Sequence, residues 1–132
     1  KHILVEKPMA TTVEEVRQIG ELAEEKGLVA MVGHTFLFNA AVRYVKTLID
    51  SGELGDIRYI YSQRVNLGRI RNDVDALWNL APHDVSVILY LFDEYPSHLS
   101  AHGLAHIRSD VEDVAFVYLE FPSEKVSQKE VT

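Results

Sequence analysis

The stretch HILVEKPMA, residues 2–10, decides how the chain is read. HILV is a short, apolar, β-branched run, the composition of a strand buried on both faces. Glu6 and Lys7 follow it directly, and Pro8 stops it. Further on, Thr12 and Glu15 have the T-x-x-E spacing of a capping box. Val13, Val16, Ile19, Leu22 and Ala23 then recur at helical spacing up to Lys26 and Gly27, so residues 12–26 are predicted as helix. LVAMVG, 28–33, is a second apolar run of strand length. Strand, helix and strand in that order, with both strands apolar, make a βαβ unit with a parallel sheet. Ligands bind such sheets beyond the carboxyl ends of the strands, which here are EKP and GHTF. Lys7 and His34 are therefore expected at one crevice. The ordinary alternative for Glu6 and Lys7 is a solvated turn.

Beyond residue 38 the pattern changes. Asn39 suits the cap of a helix carrying Val42, Val45, Leu48 and Ile49, which ends at Ser51 and Gly52. IRYIYSQRV, 57–65, alternates and is predicted as strand, with Ile57, Tyr59, Tyr61 and Gln63 on one side and Ile60 on the other. NLGRIRNDVD, 66–75, has no periodicity and reads as a loop. A helix is predicted over about 82–93, with Pro82 at its first position, where a missing N–H does least harm. Strands near 97–105 and 113–121 follow, antiparallel in style, and the last residues, SEKVSQKEVT, read as a loop or a cut end. The expected organisation is the end of one α/β domain over 1–38 joined to the first part of another over 39–132. That second domain carries an open, mostly antiparallel sheet. A chain that opens in mid-strand, with no glycine-rich turn before it, is expected to be part of a longer one.

Composition narrows the partners. The chain has 132 residues, 47% hydrophobic and 25% charged, as in an ordinary globular domain, with no repeats and no low-complexity segment. A net charge of −7, with no basic cluster beyond Arg69 and Arg71, argues against nucleic acid and against an anionic membrane surface. No apolar run approaches the roughly 20 residues that cross a bilayer. Cysteine is absent, which excludes disulfides, thiol catalysis and Cys-bound zinc and is compatible with the expected cytoplasmic location.

Three motifs in order carry a resemblance: HILVEKPMA, then VGHTFLFNAAVRYVKTLIDSGELGDI, then LWNLAPHDVSVILYLF. Together they resemble the family of glucose–fructose oxidoreductase and inositol dehydrogenase, over roughly residues 1–121. The resemblance implies a Rossmann domain binding NAD or NADP joined to an α/β domain with a large open sheet. The WNLAPHD variant is most similar to members acting on nucleotide-linked sugars, among them 3-dehydrogenases of UDP-linked amino sugars. In the family the lysine of E-K-P, here Lys7, reaches the nicotinamide ribose and the substrate hydroxyl. A cation there favours a developing alkoxide. Glu6, Pro8 and His34 fall on the cofactor side.

His83 is the candidate general base, because alcohol oxidation needs an acceptor for the hydroxyl proton and imidazole titrates near neutrality. The family histidine follows an aspartate by four residues. Here position 79 is Asn, which can accept an N–H bond and fix a tautomer but carries no charge. Arg64, Asn66, Arg69 and Arg71 flank the loop over the expected pocket, where Arg suits diphosphate or carboxylate, and Asp84 stands beside His83. Arg64, Asn66, Arg69 and Asp84 are taken as substrate contacts. His98, His102 and His106 recur every four residues in a predicted strand, which puts them on one face. With Asp110, Glu112 and Asp113 as the only carboxylates in company, that face reads as solvated or subunit-facing, and no metal is expected. Trp78 and SVILYLF read as core.

The sequence thus points to part of an NAD- or NADP-dependent dehydrogenase that oxidises a ring hydroxyl of a sugar or sugar nucleotide. Lys7 and His83, with Asn79, do the chemistry, and the resemblance implies homo-oligomers packed through the open sheet face. Without a glycine-rich diphosphate turn, the 132 residues alone are expected to be inactive. Another class of protein fits the same architecture: a non-enzymatic ligand sensor or assembly protein, to which Asn79 lends weight. A glycine-rich G-x-G-x-x-G turn upstream of Lys1 would discriminate in favour of the enzyme.

Overall fold

The structure, a computed structural model, describes residues 1–65 and 74–123, and residues 126–131 as backbone. Its contacts divide the chain into two units, Lys1–Thr35 and Phe36–Thr132.

The first unit is the βαβ arrangement. Strand β1 (Ile3–Val5), helix α1 (Val13–Glu25) and strand β2 (Ala30–Val32) follow in order, and the two strands pair in parallel with Ile3 opposite Ala30 and Val5 opposite Val32. Thr12 caps α1: its side chain accepts from the Glu15 N–H, and the Glu15 carboxylate accepts from the Thr12 N–H at 3.0 Å. Helix α1 ends because Gly27 takes φ 60°, a left-handed conformation that a residue without Cβ adopts at little cost. His2 helps register the strands, since its Nδ1 accepts from the Val29 N–H at 3.0 Å. Within this chain Leu4 is 71% exposed and Met31 43%.

The second unit builds a core around one long helix. Helix α2 (Ala40–Asp50) is capped by Asn39, whose Oδ1 accepts from the Ala41 N–H at 2.8 Å. Strand β3 (Tyr59–Arg64), helix α3 (Ala76–Phe92), and strands β4 (His98–Leu104), β5 (Val114–Glu120) and β6 (Val126–Val131) complete it. The strand order is β3-β6-β5-β4, with β3 parallel to β6 and the other neighbours antiparallel. Alternation along β5 turns Ala115, Val117 and Leu119 inward, and there Val117 and Leu119 join Ile88 and Phe92 of α3 and Phe121 in the core. Phe92 and Phe121 meet edge to face, 4.7 Å between centroids. Each such side chain contributes on the order of 1.5–3 kcal/mol by leaving water. Among the described residues no helix is long and apolar enough to cross a membrane.

Four expectations are corrected. Helix α3 starts at Ala76, not at Pro82, because Asp75 caps it through a 2.6 Å bond from the Trp78 N–H. Pro82 sits inside the helix and simply has no N–H to give to the preceding turn. The polar tail is not all loop: 126–131 forms β6 between β3 and β5, because both neighbours offer backbone partners that outweigh its weak apolar character. Ile57 precedes β3 rather than sharing the outer face with Tyr59, Tyr61 and Gln63, and it packs against the core with Ile60. His106 lies beyond β4, so only His98 and His102 share a strand face.

His106 instead belongs to a loop organised by Asp113. The Asp113 carboxylate accepts from the Ile107 N–H at 2.6 Å and the His106 N–H at 2.8 Å, and its other oxygen lies 3.1 Å from His106 Nδ1. The Ile107 backbone bond, chiefly, and the bonds from His106 hold this carboxyl below its ordinary value of 3.8.

Two measurements test these local devices. Asp75→Ala should lower unfolding stability by about 1 kcal/mol in denaturant titration, with Asp75→Asn close to the parent, because either Asp or Asn can cap. The stabilisation from Asp113 should be fully present above its unfolded pKa and be lost as pH falls through the lower folded value. Amide exchange at His106 and Ile107, corrected for intrinsic rates, should report the loss, and Asp113→Ala should abolish that pH dependence.

Candidate active site

In the first unit the register of β1 and β2 sets two loop starts side by side. Val5 lies opposite Val32, and the Gly33 N–H donates to the Val5 carbonyl at 2.8 Å, so Glu6-Lys7 and Gly33-His34 leave the sheet together. A Cβ on Gly33 would stand 3.2–3.3 Å from the Glu6 carboxylate, tighter than ordinary van der Waals contact. Lys7 is half-buried and makes interactions of its own, and the Lys7–Pro8 peptide bond is cis. His34 is half-buried, and its Nδ1 is buried with no hydrogen-bond partner among the described residues. A cation and an unsatisfied imidazole nitrogen thus stand at the carboxyl ends of parallel strands, where the crossover geometry places ligands.

In the second unit α3 carries Asn79 and His83 one turn apart, hence on one face, and both are half-buried. Asp84 does not stand free beside them. Arg64 Nε donates to Asp84 Oδ2 at 2.6 Å, Arg64 Nη2 to Oδ1 at 3.4 Å, and Ser62 Oγ to Oδ1 at 3.3 Å. Arg64 and Asp84, two of the four residues taken from the sequence as substrate contacts, are therefore bound to each other.

Phe36, in the 3-10 turn at Thr35–Phe38, meets the His83 ring at 4.7 Å between centroids and 65° between planes. The Arg64 guanidinium stands 5.2 Å from the centre of the same Phe36 ring. Sequence reading missed Phe36 and Ser62. The available signal was Ser62 and Arg64 alternating in phase with the inward Ile60, a polar pair on a packed strand face. Trp78 is half-buried, with its Nε1 buried and without a partner among the described residues. Asn66, Arg69 and Arg71 lie outside the described residues. Among the described residues no group of three or more His, Cys, Asp or Glu side chains could hold a metal ion.

Comparison with known proteins gives the class first. Residues 1–34 match the oxidoreductase family described as an NAD-binding Rossmann fold, and residues 42–132 match the GFO/IDH/MocA C-terminal domain. The chain belongs to the GFO/IDH/MocA family of oxidoreductases. A 1-carboxy-3-chloro-3,4-dihydroxycyclohexa-1,5-diene dehydrogenase of Comamonas testosteroni is 44% identical over 69% of this chain and 25% of its own length. An NADP(+) scyllo-inositol 2-dehydrogenase of Bacillus subtilis is 30% identical over 90% of this chain and 35% of its own. The solved UDP-N-acetylglucosamine 3-dehydrogenase of Acidithiobacillus ferrooxidans superposes with a TM-score of 0.83 at 26% identity, covering 99% of this chain and 41% of that one. This chain spans only 25% to 39% of the length of the first curated relatives it matches.

Proposed function

We propose that this chain is part of a cytoplasmic dehydrogenase that oxidises a ring hydroxyl of a sugar-like substrate, with NAD or NADP as hydride acceptor. A UDP-linked amino sugar is the particular candidate, supported by the WNLAPHD motif and by the relative from Acidithiobacillus ferrooxidans. The observation that carries the reading is Lys7, half-buried at the carboxyl end of a parallel strand within the segment that matches an NAD-binding fold.

The residues present fit a dinucleotide. Glu6, Lys7, Pro8 and His34 would hold it, and the buried, unsatisfied His34 Nδ1 is a polar atom for which a ligand could supply a partner. A bound dinucleotide would supply the acceptor for the hydride of the substrate carbon. The Lys7 ammonium favours the alkoxide that develops as the hydroxyl proton leaves. His83 accepts the hydroxyl proton, leaving a carbonyl. Asn79, one turn before His83 on the same helix face, orients the ring without adding charge. Asn66, Arg69, Arg64 and Asp84 are the proposed substrate contacts, the last two while paired with each other.

In the whole enzyme, His83→Asn should lower kcat by about a hundredfold or more with cofactor affinity near normal. Equal turnover at every pH would exclude His83 as the base. Lys7→Ala should likewise act on the chemical step, and a change confined to sugar affinity would reduce it to a binding group. Asn79→Asp should move the pH–rate profile upward, since a carboxylate there favours imidazolium. If the whole protein binds a sugar and the dinucleotide yet oxidises no sugar, the ligand-sensing alternative gains instead.

The same reading includes assembly. Tyr59 and Tyr61, 68% and 51% exposed, lie on the sheet face opposite α3, together with His98 and His102. Mixed aromatic and polar side chains of this kind suit a subunit contact. The partners proposed are thus a small sugar or sugar-nucleotide substrate and further copies of the chain through this face, with neither nucleic acid nor membrane. Sedimentation should show a dimer or tetramer that Tyr59→Arg combined with Tyr61→Arg converts to smaller species. A parent monomer at high concentration would overturn the assignment.

A further inference from the structure

Three contacts chain together around His83, and the proposed chemistry uses none of them. Imidazole turns about its last torsion in a broad, soft well, so a histidine that must present one nitrogen to a substrate needs its ring plane fixed by packing or by a hydrogen bond. Phe36 supplies packing, at 4.7 Å and 65° from the His83 ring. Phe36 itself sits in a single 3-10 turn, which the chain pins from behind: the Asn39 N–H donates to the Phe36 carbonyl at 3.1 Å, and Arg43 Nε to the Leu37 carbonyl at 3.2 Å.

The Phe36 ring also stands 5.2 Å from the guanidinium of Arg64. Arg64 is in turn anchored on Asp84 by its 2.6 Å Nε bond and 3.4 Å Nη2 bond, with Ser62 donating to the same carboxylate. The pair is sheltered, with side-chain exposures of 31% for Arg64 and 17% for Asp84. Asp84 is the residue after His83 on α3, so the chain of contacts returns to the helix that bears the imidazole.

We infer that Arg64 and Phe36 are positioning residues for His83: Asp84 and Ser62 fix the guanidinium, the guanidinium holds the phenyl ring, and the ring fixes the plane of the imidazole. This rests on the reading of His83 as the base. A planar fork is what the arrangement needs. Arg can engage the carboxylate through two nitrogens while lying against a ring, and Lys, a compact ammonium, cannot reproduce both.

The test is a double-mutant cycle in the whole enzyme. Phe36→Leu, and separately Arg64→Lys, should each lower kcat by on the order of tenfold to a hundredfold while KM for the cofactor stays within about twofold, because misplacement acts on the chemical step. Phe36→Tyr, which keeps the ring, should restore kcat to within about threefold of the parent. In the His83→Asn background both losses should vanish, since there is no longer an imidazole to position. Equal losses with and without His83, or failure of Phe36→Tyr to rescue, would overturn the positioning role while leaving the base assignment standing. A His83→Asn enzyme as active as the parent would instead remove the base assignment. If Phe36→Leu lowers the unfolding midpoint so far that activity cannot be read, Arg64→Lys carries the cycle, because it leaves the ring in place.

Discussion

The packing of α3 against the sheet is the constraint on which the second unit depends. Ile88 and Phe92 are buried against Val117, Leu119 and Phe121, and a helix seated through these two positions cannot rotate about its axis. Asp84 falls four residues before Ile88 and eight before Phe92, which puts it on the same stripe. That stripe meets β3, where Ser62 and Arg64 face inward, so the polar pair is an extension of the core contact by other means. His83 is then directed by default, about 100° round the helix from Asp84, with Asn79 about 40° from His83. The site geometry follows from apolar burial at the opposite end of the helix.

This explains why an ion pair is tolerated under a helix. A sheltered carboxylate loses hydration, and it is retained where a charged donor with suitable geometry compensates. Asp84 has a guanidinium at 2.6 Å and a hydroxyl at 3.3 Å, and Arg64 has a ring face as well as a carboxylate. Replacing one member alone would leave the other sheltered and poorly paired. The arrangement therefore ties β3, α3 and the turn at Phe36 to one another through mutual need, where apolar side chains would have tied them through area alone.

Much of this was legible in the sequence, and the failures have causes. The βαβ order was readable because the T-x-x-E cap and the glycine stop bracket α1 and because the flanking runs are apolar. The start of α3 was misplaced because proline is a strong local signal for a first turn, and here a better cap, Asp75, lay seven residues earlier. Strand β6 was missed because a central strand is held by its neighbours' backbones as well as by its own side chains. Lys7 and His34 were identified as site candidates because each carries chemistry in its type and stands at a strand end, and His83 because imidazole suits a general base and lies in the motif that carries the resemblance. Phe36 was not identified because an aromatic residue in a loop carries no such mark.

The inward face of β3 shows the limit most clearly. Of its two alternating sets, Tyr59-Tyr61-Gln63 and Ile60-Ser62-Arg64, the first looks more apolar by composition, yet the second faces the helix. Alternation fixes that the sets lie on opposite faces, and it does not fix which face is covered. What decides is a residue twenty positions away: Asp84 offers an acceptor that Arg64 can reach only from the helix side. The opposite choice would have left Asp84 sheltered without its guanidinium and put two tyrosines against α3, where their hydroxyls would need partners of their own. Polar satisfaction across the interface, a property of the pair of elements, outweighs the hydrophobicity of either strand face taken alone.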